Sequence, residues 1–122
     1  LLSETELQRL IGEAKILGLD PLVEVHTPEE LNASLRAGAT LVGINHRNLN
    51  TFELDMSLSA RLLPLVPPMI TAVAESGLSR PEDLTRLRQT RCDAVLMGEV
   101  FATSVDPAAT LATLAAAARG QG

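Results

Sequence analysis

The stretch "MITAVAESGLSRPED" (69–83) decides how this chain folds. Six mostly apolar residues, Met69 to Ala74, have the composition of a strand. They run straight into Glu75, Ser76 and Gly77, and a helix start follows within a few residues. A short apolar run that ends in a turn, with Pro81 near a first helical position, marks a strand–loop–helix unit. A carboxylate where such a run meets its turn is expensive to bury unless it is paired or neutralised. Packing alone does not explain Glu75.

The same unit recurs on both sides. "PLVEV" (21–25) leads into "TPEELNASLRAG" (27–38), with a Thr cap, Pro at the first helical position and a closing Gly. "TLVGI" (40–44) leads, after a longer polar loop, into "SLSARLLPLV" (57–66). "SRPEDLTRLRQT" (79–90) reads as a helix opened by Ser79 and Pro81. "DAVLMG" (93–98) is a fourth strand, and Asp106 and Pro107 open a helix over 106–120. Ahead of these, "SETELQRLIGEAKILG" (3–18) carries a helical stripe of Leu7, Leu10, Ile11, Ala14 and Leu17. Ser3 with Glu6 predicts its cap, and Gly18 its end. Strands alternating with helices predict right-handed βαβ units and a parallel sheet. The expected fold is α/β, with parallel strands near 21–25, 40–44, 69–74 and 93–97 and five or six helices.

Composition excludes several function classes. A chain of 122 residues that is 46% hydrophobic is long enough for one domain with a core. A net charge of −5 and only two aromatic residues, both Phe, argue against a nucleic-acid surface. The single Cys92 rules out an internal disulfide and fits a reducing cytoplasm. No apolar stretch approaches a membrane span, and no signal-peptide pattern is present. His26 and His46 flank Glu24 and Asn45 without further ligands at a convincing spacing, so neither a metal nor a cofactor is expected.

The strand ends concentrate the polar residues. They read "VEVH", "GINHRN", "AESG" and "LMGE", each leading into a loop before a helix. In parallel α/β folds that is the face where ligands bind. Glycines at 77 and 98 are expected to allow close backbone approach and positive φ.

These strand ends also resemble one family. "LVEVH", "GINHRNL" with the following "TFELD", "AESG" and "VLMGEVF", in that order, are similar to indole-3-glycerol-phosphate synthase, a (β/α)8 barrel enzyme of tryptophan biosynthesis. The resemblance implies that the four strands are the family's fifth to eighth. Residues 1–122 then form the C-terminal half of a TIM (β/α)8 barrel. It implies closure of the indole ring of a carboxyphenylamino-deoxyribulose phosphate, with loss of carbon dioxide and water. Glu24 matches the carboxylate that accepts a proton, and Glu75 a strand-end acid of the reaction site. Asn45 and Arg47 match polar residues contacting the substrate. Ser76 and Gly77, then Gly98 and Glu99, match two halves of a phosphate site. Backbone N–H groups, not the Glu99 side chain, are expected to hold that anion.

The family's catalytic lysines belong to the first half of the barrel, whereas the only lysine here is Lys15, on the first helix. The implied partners are a phosphorylated small molecule and an N-terminal half-barrel, with self-association of an exposed half-barrel as another route to burial. A non-catalytic phosphate-binding half-barrel, or part of another phosphate-binding barrel enzyme, is the alternative reading.

Overall fold

The computed structural model describes residues 2–121, so the two ends of the 1–122 unit lie outside it. Four strands pair in sequence order: β1 (Val23–Val25), β2 (Leu41–Asn45), β3 (Thr71–Glu75) and β4 (Ala94–Leu96). All three pairings are parallel, as the alternation predicts. Helices α1 (Glu4–Ile16), α2 (Pro28–Arg36), α3 (Leu58–Leu62), α4 (Pro81–Arg88), α5 (Glu99–Ala102) and α6 (Pro107–Arg119) complete the order, and a 3-10 turn at Leu63–Leu65 extends α3. The architecture is that of half a (β/α)8 barrel. β1 begins at Val23, two residues later than the expected 21–25, and Pro21, which has no N–H to add to a ladder, stays outside it.

Local chemistry sets most helix starts. Ser3 and Glu6 form a reciprocal capping box on α1, with Glu6 N–H donating to Ser3 Oγ at 3.2 Å. Thr27 Oγ1 accepts from Glu30 N–H at 3.1 Å on α2, and Asp106 accepts from Ala109 N–H at 3.0 Å on α6. The expected opening of α4 by Ser79 is corrected. Its cap position is Arg80, and the Asp83 carboxylate accepts N–H bonds from both Ser79 (3.1 Å) and Arg80 (3.0 Å). A buried aspartate in the first turn thus ties down the two residues that precede the helix, the reverse half of a capping box, and the Ser79 hydroxyl makes no cap. Burial works to raise the Asp83 pKa, but those two N–H bonds and the charges of Arg80 and Arg86 hold it below the usual range.

Replacing Asp83 with Ala leaves two N–H groups at a loop end without partners. The expected loss is about 2 kcal/mol of unfolding free energy. Urea unfolding of Asp83→Ala is the check, and a loss under about 0.5 kcal/mol contradicts this account of the cap.

The sheet has two unlike faces. Successive residues of a strand point to opposite sides. Val23, Val25, Val42, Ile44, Ala72 and Ala74 meet Leu31, Leu62, Leu84 and Leu87 in the core between sheet and helices. The register puts Glu24, Gly43, Val73 and Ala94 in one row on the opposite face, with Asn45, Glu75 and Leu96 in the row above. In a closed barrel that second face is the interior; here Glu24, Ala94 and Leu96 are exposed. The α1 stripe is only partly used. Ile11 is buried, but Leu10 and Leu17 are exposed, because the helix packs against α2 and no described element lies over its remaining apolar residues.

Candidate functional site

The turn after β3 organises the site. Ser76 and Gly77 are both left-handed, with φ of +67° and +71°. A Cβ on Gly77 would lie 2.7 Å from Met56 Sδ and 3.1 Å from Leu54 Cδ2, so both backbone and space demand glycine. Ser76 has no such freedom, and its conformation costs on the order of 1 kcal/mol or more. Two bonds hold it there. Its hydroxyl donates to Asn45 Oδ1 at 2.8 Å, and its carbonyl lies 2.9 Å from His46 Nδ1. A carbonyl only accepts, so Nδ1 carries the proton and Nε2 faces the Ser59 hydroxyl at 2.6 Å. His46 is therefore a strut inside the fold. His26 is similarly engaged, Nε2 to the Arg47 carbonyl at 3.1 Å. Among the described residues no cluster of His, Cys, Asp and Glu suits a metal ion.

Gly98 departs from expectation. Its φ is −131°, outside the left-handed region, and a Cβ there would meet nothing within 4 Å. Neither backbone strain nor crowding within this chain requires glycine at 98. The left-handed turn belongs to Ser76 and Gly77. Cys92 is half-buried against the carbonyl of Ala94, and burial raises its thiol pKa, so it is not a ready nucleophile.

Asn45 ties three strand ends together. Its Nδ2 donates to Glu24 Oε2 at 3.3 Å, and its Oδ1 accepts from Arg47 N–H at 3.0 Å as well as from Ser76. Beside it, Glu75 is 3% exposed, and its Oε1 has no hydrogen-bond partner among the described residues. Burial first, then the nearness of the Glu24 carboxyl and its charge, push the Glu75 pKa up to about 8. An acid that keeps its proton near neutral pH thus stands beside a second carboxyl. That pairing suits general acid and base work.

A pocket of about 640 Å³ opens over these groups. Glu24, Arg47, Glu75, Ser76, Gly77, Gly98 and Glu99 all line it. Asn45 lies behind that wall, as the link between Glu24 and Ser76. Arg47 is the only cationic side chain among the described lining residues, and it pairs with Glu99 at 3.5 Å. Among the described residues, the N–H groups of Gly77, Leu78, Gly98 and Glu99 meet no acceptor. Leu54, Leu96 and Met97 also line the pocket and were not singled out from the sequence. An apolar residue in a strand or loop carries no local mark that separates a pocket wall from a core position.

Comparison with known proteins agrees with this geometry. The family model described as indole-3-glycerol phosphate synthase matches residues 1–114. The indole-3-glycerol phosphate synthase of Aliarcobacter butzleri is 49% identical over 100 residues, covering 82% of this chain and 38% of that protein. That of Dehalococcoides mccartyi is 43% identical over 114 residues, covering 93% of this chain and 44% of that protein. The chain thus spans under half the length of these curated relatives. Among solved structures, that of the Amycolatopsis orientalis BexX/CysO complex superposes with a TM-score of 0.73 at 14% identity, over 97% of this chain and 49% of the other. A native KDPGal structure superposes with a TM-score of 0.71 at 20% identity, over 98% of this chain and 55% of the other. Those two likenesses speak for the fold. Strand-end motifs gathered on one pocket, and relatives above 40% identity carrying one name, together mean that this chain belongs to the indole-3-glycerol phosphate synthase family.

Proposed function

We propose that the chain supplies the phosphate grip and two of the reacting carboxyls of an indole-3-glycerol-phosphate synthase. The reaction closes the indole ring of carboxyphenylamino-deoxyribulose phosphate with loss of carbon dioxide and water, making the enzyme a lyase of tryptophan biosynthesis. The observation that carries this reading is the convergence of Glu24, Arg47, Glu75, Ser76, Gly77, Gly98 and Glu99 on one pocket. Ring closure needs an acid to polarise a ketone and a base to take a proton as water leaves. Glu75, protonated up to about pH 8, is suited to give or hold a proton, and Glu24 to accept one. Asn45 orients Glu24 through its 3.3 Å bond, and Arg47 faces an anionic group of the substrate. The open N–H groups of the two glycine loops take the phosphate.

The N-terminal half of the barrel is the proposed partner. Among the described residues β1 and β4 each pair on one side only. An apolar hollow of about 490 Å³, walled by Leu7, Leu10, Ile11 and Leu22, runs beside β1. Four further strands laid on those edges would close the sheet and bury Leu96.

The phosphate site lies wholly on the last two strands and their loops, so it is expected to work in this chain alone. Affinity is expected to be millimolar, about 4 kcal/mol, because no lysine caps the site and Glu99 opposes an anion. Inorganic phosphate titrated into a labelled sample should shift the amides of residues 76–78 and 98–101 first. If those stay put while others respond, the phosphate assignment fails.

A further inference from the structure

Gly43 sits in the middle of β2 with φ outside the left-handed region, so its backbone does not call for glycine. Its surroundings do. A methyl group on Gly43 would overlap Glu75 Oε1, and it would lie 2.8 Å from Glu75 Cδ and 3.3 Å from Leu22 Cδ1. The register explains why this matters. Glu24 is on β1 and Glu75 on β3, with β2 between them. Adjacent strands are about 4.8 Å apart, so the two backbones are separated by roughly 10 Å. The carboxyls meet only if one leans across β2. Glu75 belongs to the row above and leans back over the bare Cα of Gly43, toward Glu24, which is in Gly43's own row.

We infer that Gly43 is a positioning residue for the reaction: its missing side chain is the niche that seats the Glu75 carboxyl beside Glu24. This rests on the reading of Glu75 as an acid of the site. Three features fit the niche. The Glu75 Oε1 is buried and meets no hydrogen-bond partner among the described residues. Leu22 Cδ1 also bounds the niche, 3.3 Å from where the methyl group would lie. The nearest atoms that a methyl group at position 43 would strike are the free end of the Glu75 side chain, not backbone, so the sheet can keep its register while the carboxyl moves away. The charged groups around Glu75 are Glu24 from β1, Arg47 from the loop after β2 and Glu99 from α5. A carboxyl displaced toward the open pocket gains water and moves away from Glu24. The raised pKa of Glu75 fits this seating, since burial and the nearness of Glu24 are its causes.

The test is Gly43→Ala in this chain, with the glutamate side-chain carboxyls carbon-13 labelled and followed by NMR against pH. The Glu75 resonance, assigned by its loss in Glu75→Gln, is expected to titrate near 8 in the parent chain and near the ordinary carboxylate range in Gly43→Ala. Cooperative unfolding should persist. A Glu75 midpoint unchanged in Gly43→Ala overturns the inference. If Gly43→Ala does not fold, Gly43→Ala combined with Glu75→Ala decides. Recovery of cooperative unfolding supports a conflict confined to the Glu75 side chain, and continued failure overturns it. Phosphate-induced amide shifts at residues 76–78 and 98–101, read on the same samples, report on the proposed function separately from the Gly43 result.

Discussion

No turnover of carboxyphenylamino-deoxyribulose phosphate above a buffer blank is the result expected of the purified 122-residue chain. Its pocket offers three carboxyls and one arginine, and that arginine is already paired with one of them, Glu99. The one lysine, Lys15, lies on α1, away from the described pocket lining. In the family the resemblance points to, the lysines that act on the substrate stand on strands outside those seen here. Preorganised charged or hydrogen-bonding groups of that kind are each worth about 10²–10³ in rate. Losing two or more takes a slow reaction below detection. Glu24 and Asn45 also need an opposite wall to press a substrate against them, and the inner face of this sheet has none among the described residues. Mixing with an N-terminal half-barrel that carries those lysines should restore product, read by indole fluorescence. Turnover by the chain alone would show that lysines outside it are not needed, and that this assignment of roles is wrong.

The second large effect is on stability. Glu75 has a folded pKa of about 8 against an ordinary 4.5, so folding favours its protonated form. Below about pH 4.5 both folded and unfolded chains hold the proton, and the group adds nothing. Between about 4.5 and 8 the unfolded chain has released its proton while the folded chain keeps it. Stability therefore falls as pH rises through that window, and levels off above it. At about 1.4 kcal/mol per pH unit, the loss has an upper bound of about 5 kcal/mol.

Other carboxyls act in the opposite sense. The Arg36 bond at Glu4, the Ser3 N–H at Glu6, and the Ser57 hydroxyl at Asp55 lower those pKa values, as the loop N–H groups do at Asp83. Their contributions are present above the ordinary carboxylate range and disappear as pH falls below it. A stability maximum near pH 5 is expected. Glu75→Gln should flatten the decline between pH 5 and 8 and leave the variant the more stable one at pH 8. Urea unfolding at pH 5, 6.5 and 8 reads both curves. A parent chain as stable at pH 8 as at pH 5 would mean that Glu75 is not held in its buried, protonated state.

Element order, parallel pairing and most helix starts were legible in the sequence because they rest on short-range chemistry. An apolar run, a Thr–Pro or Asp–Pro start and a closing Gly act within a few residues of one another. The gathering of the strand-end residues on one pocket was legible for a related reason. A parallel βα repeat puts every strand's carboxyl end at the same face, so "VEVH", "GINHRN", "AESG" and "LMGE" had to converge once the repeat was recognised.

What only the tertiary structure decided lies between strands, where sequence distance says nothing about approach. Asp83, four residues after Ser79, took over the capping of α4 because its carboxylate folds back on two N–H groups at once. Ser76 shares with Gly77 a left-handed turn that only glycine was expected to carry, because Asn45 and His46, about 30 residues earlier, hold its hydroxyl and carbonyl. Gly43 gave no signal, since a glycine inside a strand reads as a weak spot until the side chain lying over it is seen. The meeting of Glu24 and Glu75 is the plainest case. They stand 51 residues apart on strands that do not touch, and only the flat backbone of the strand between them lets their carboxyls share one site.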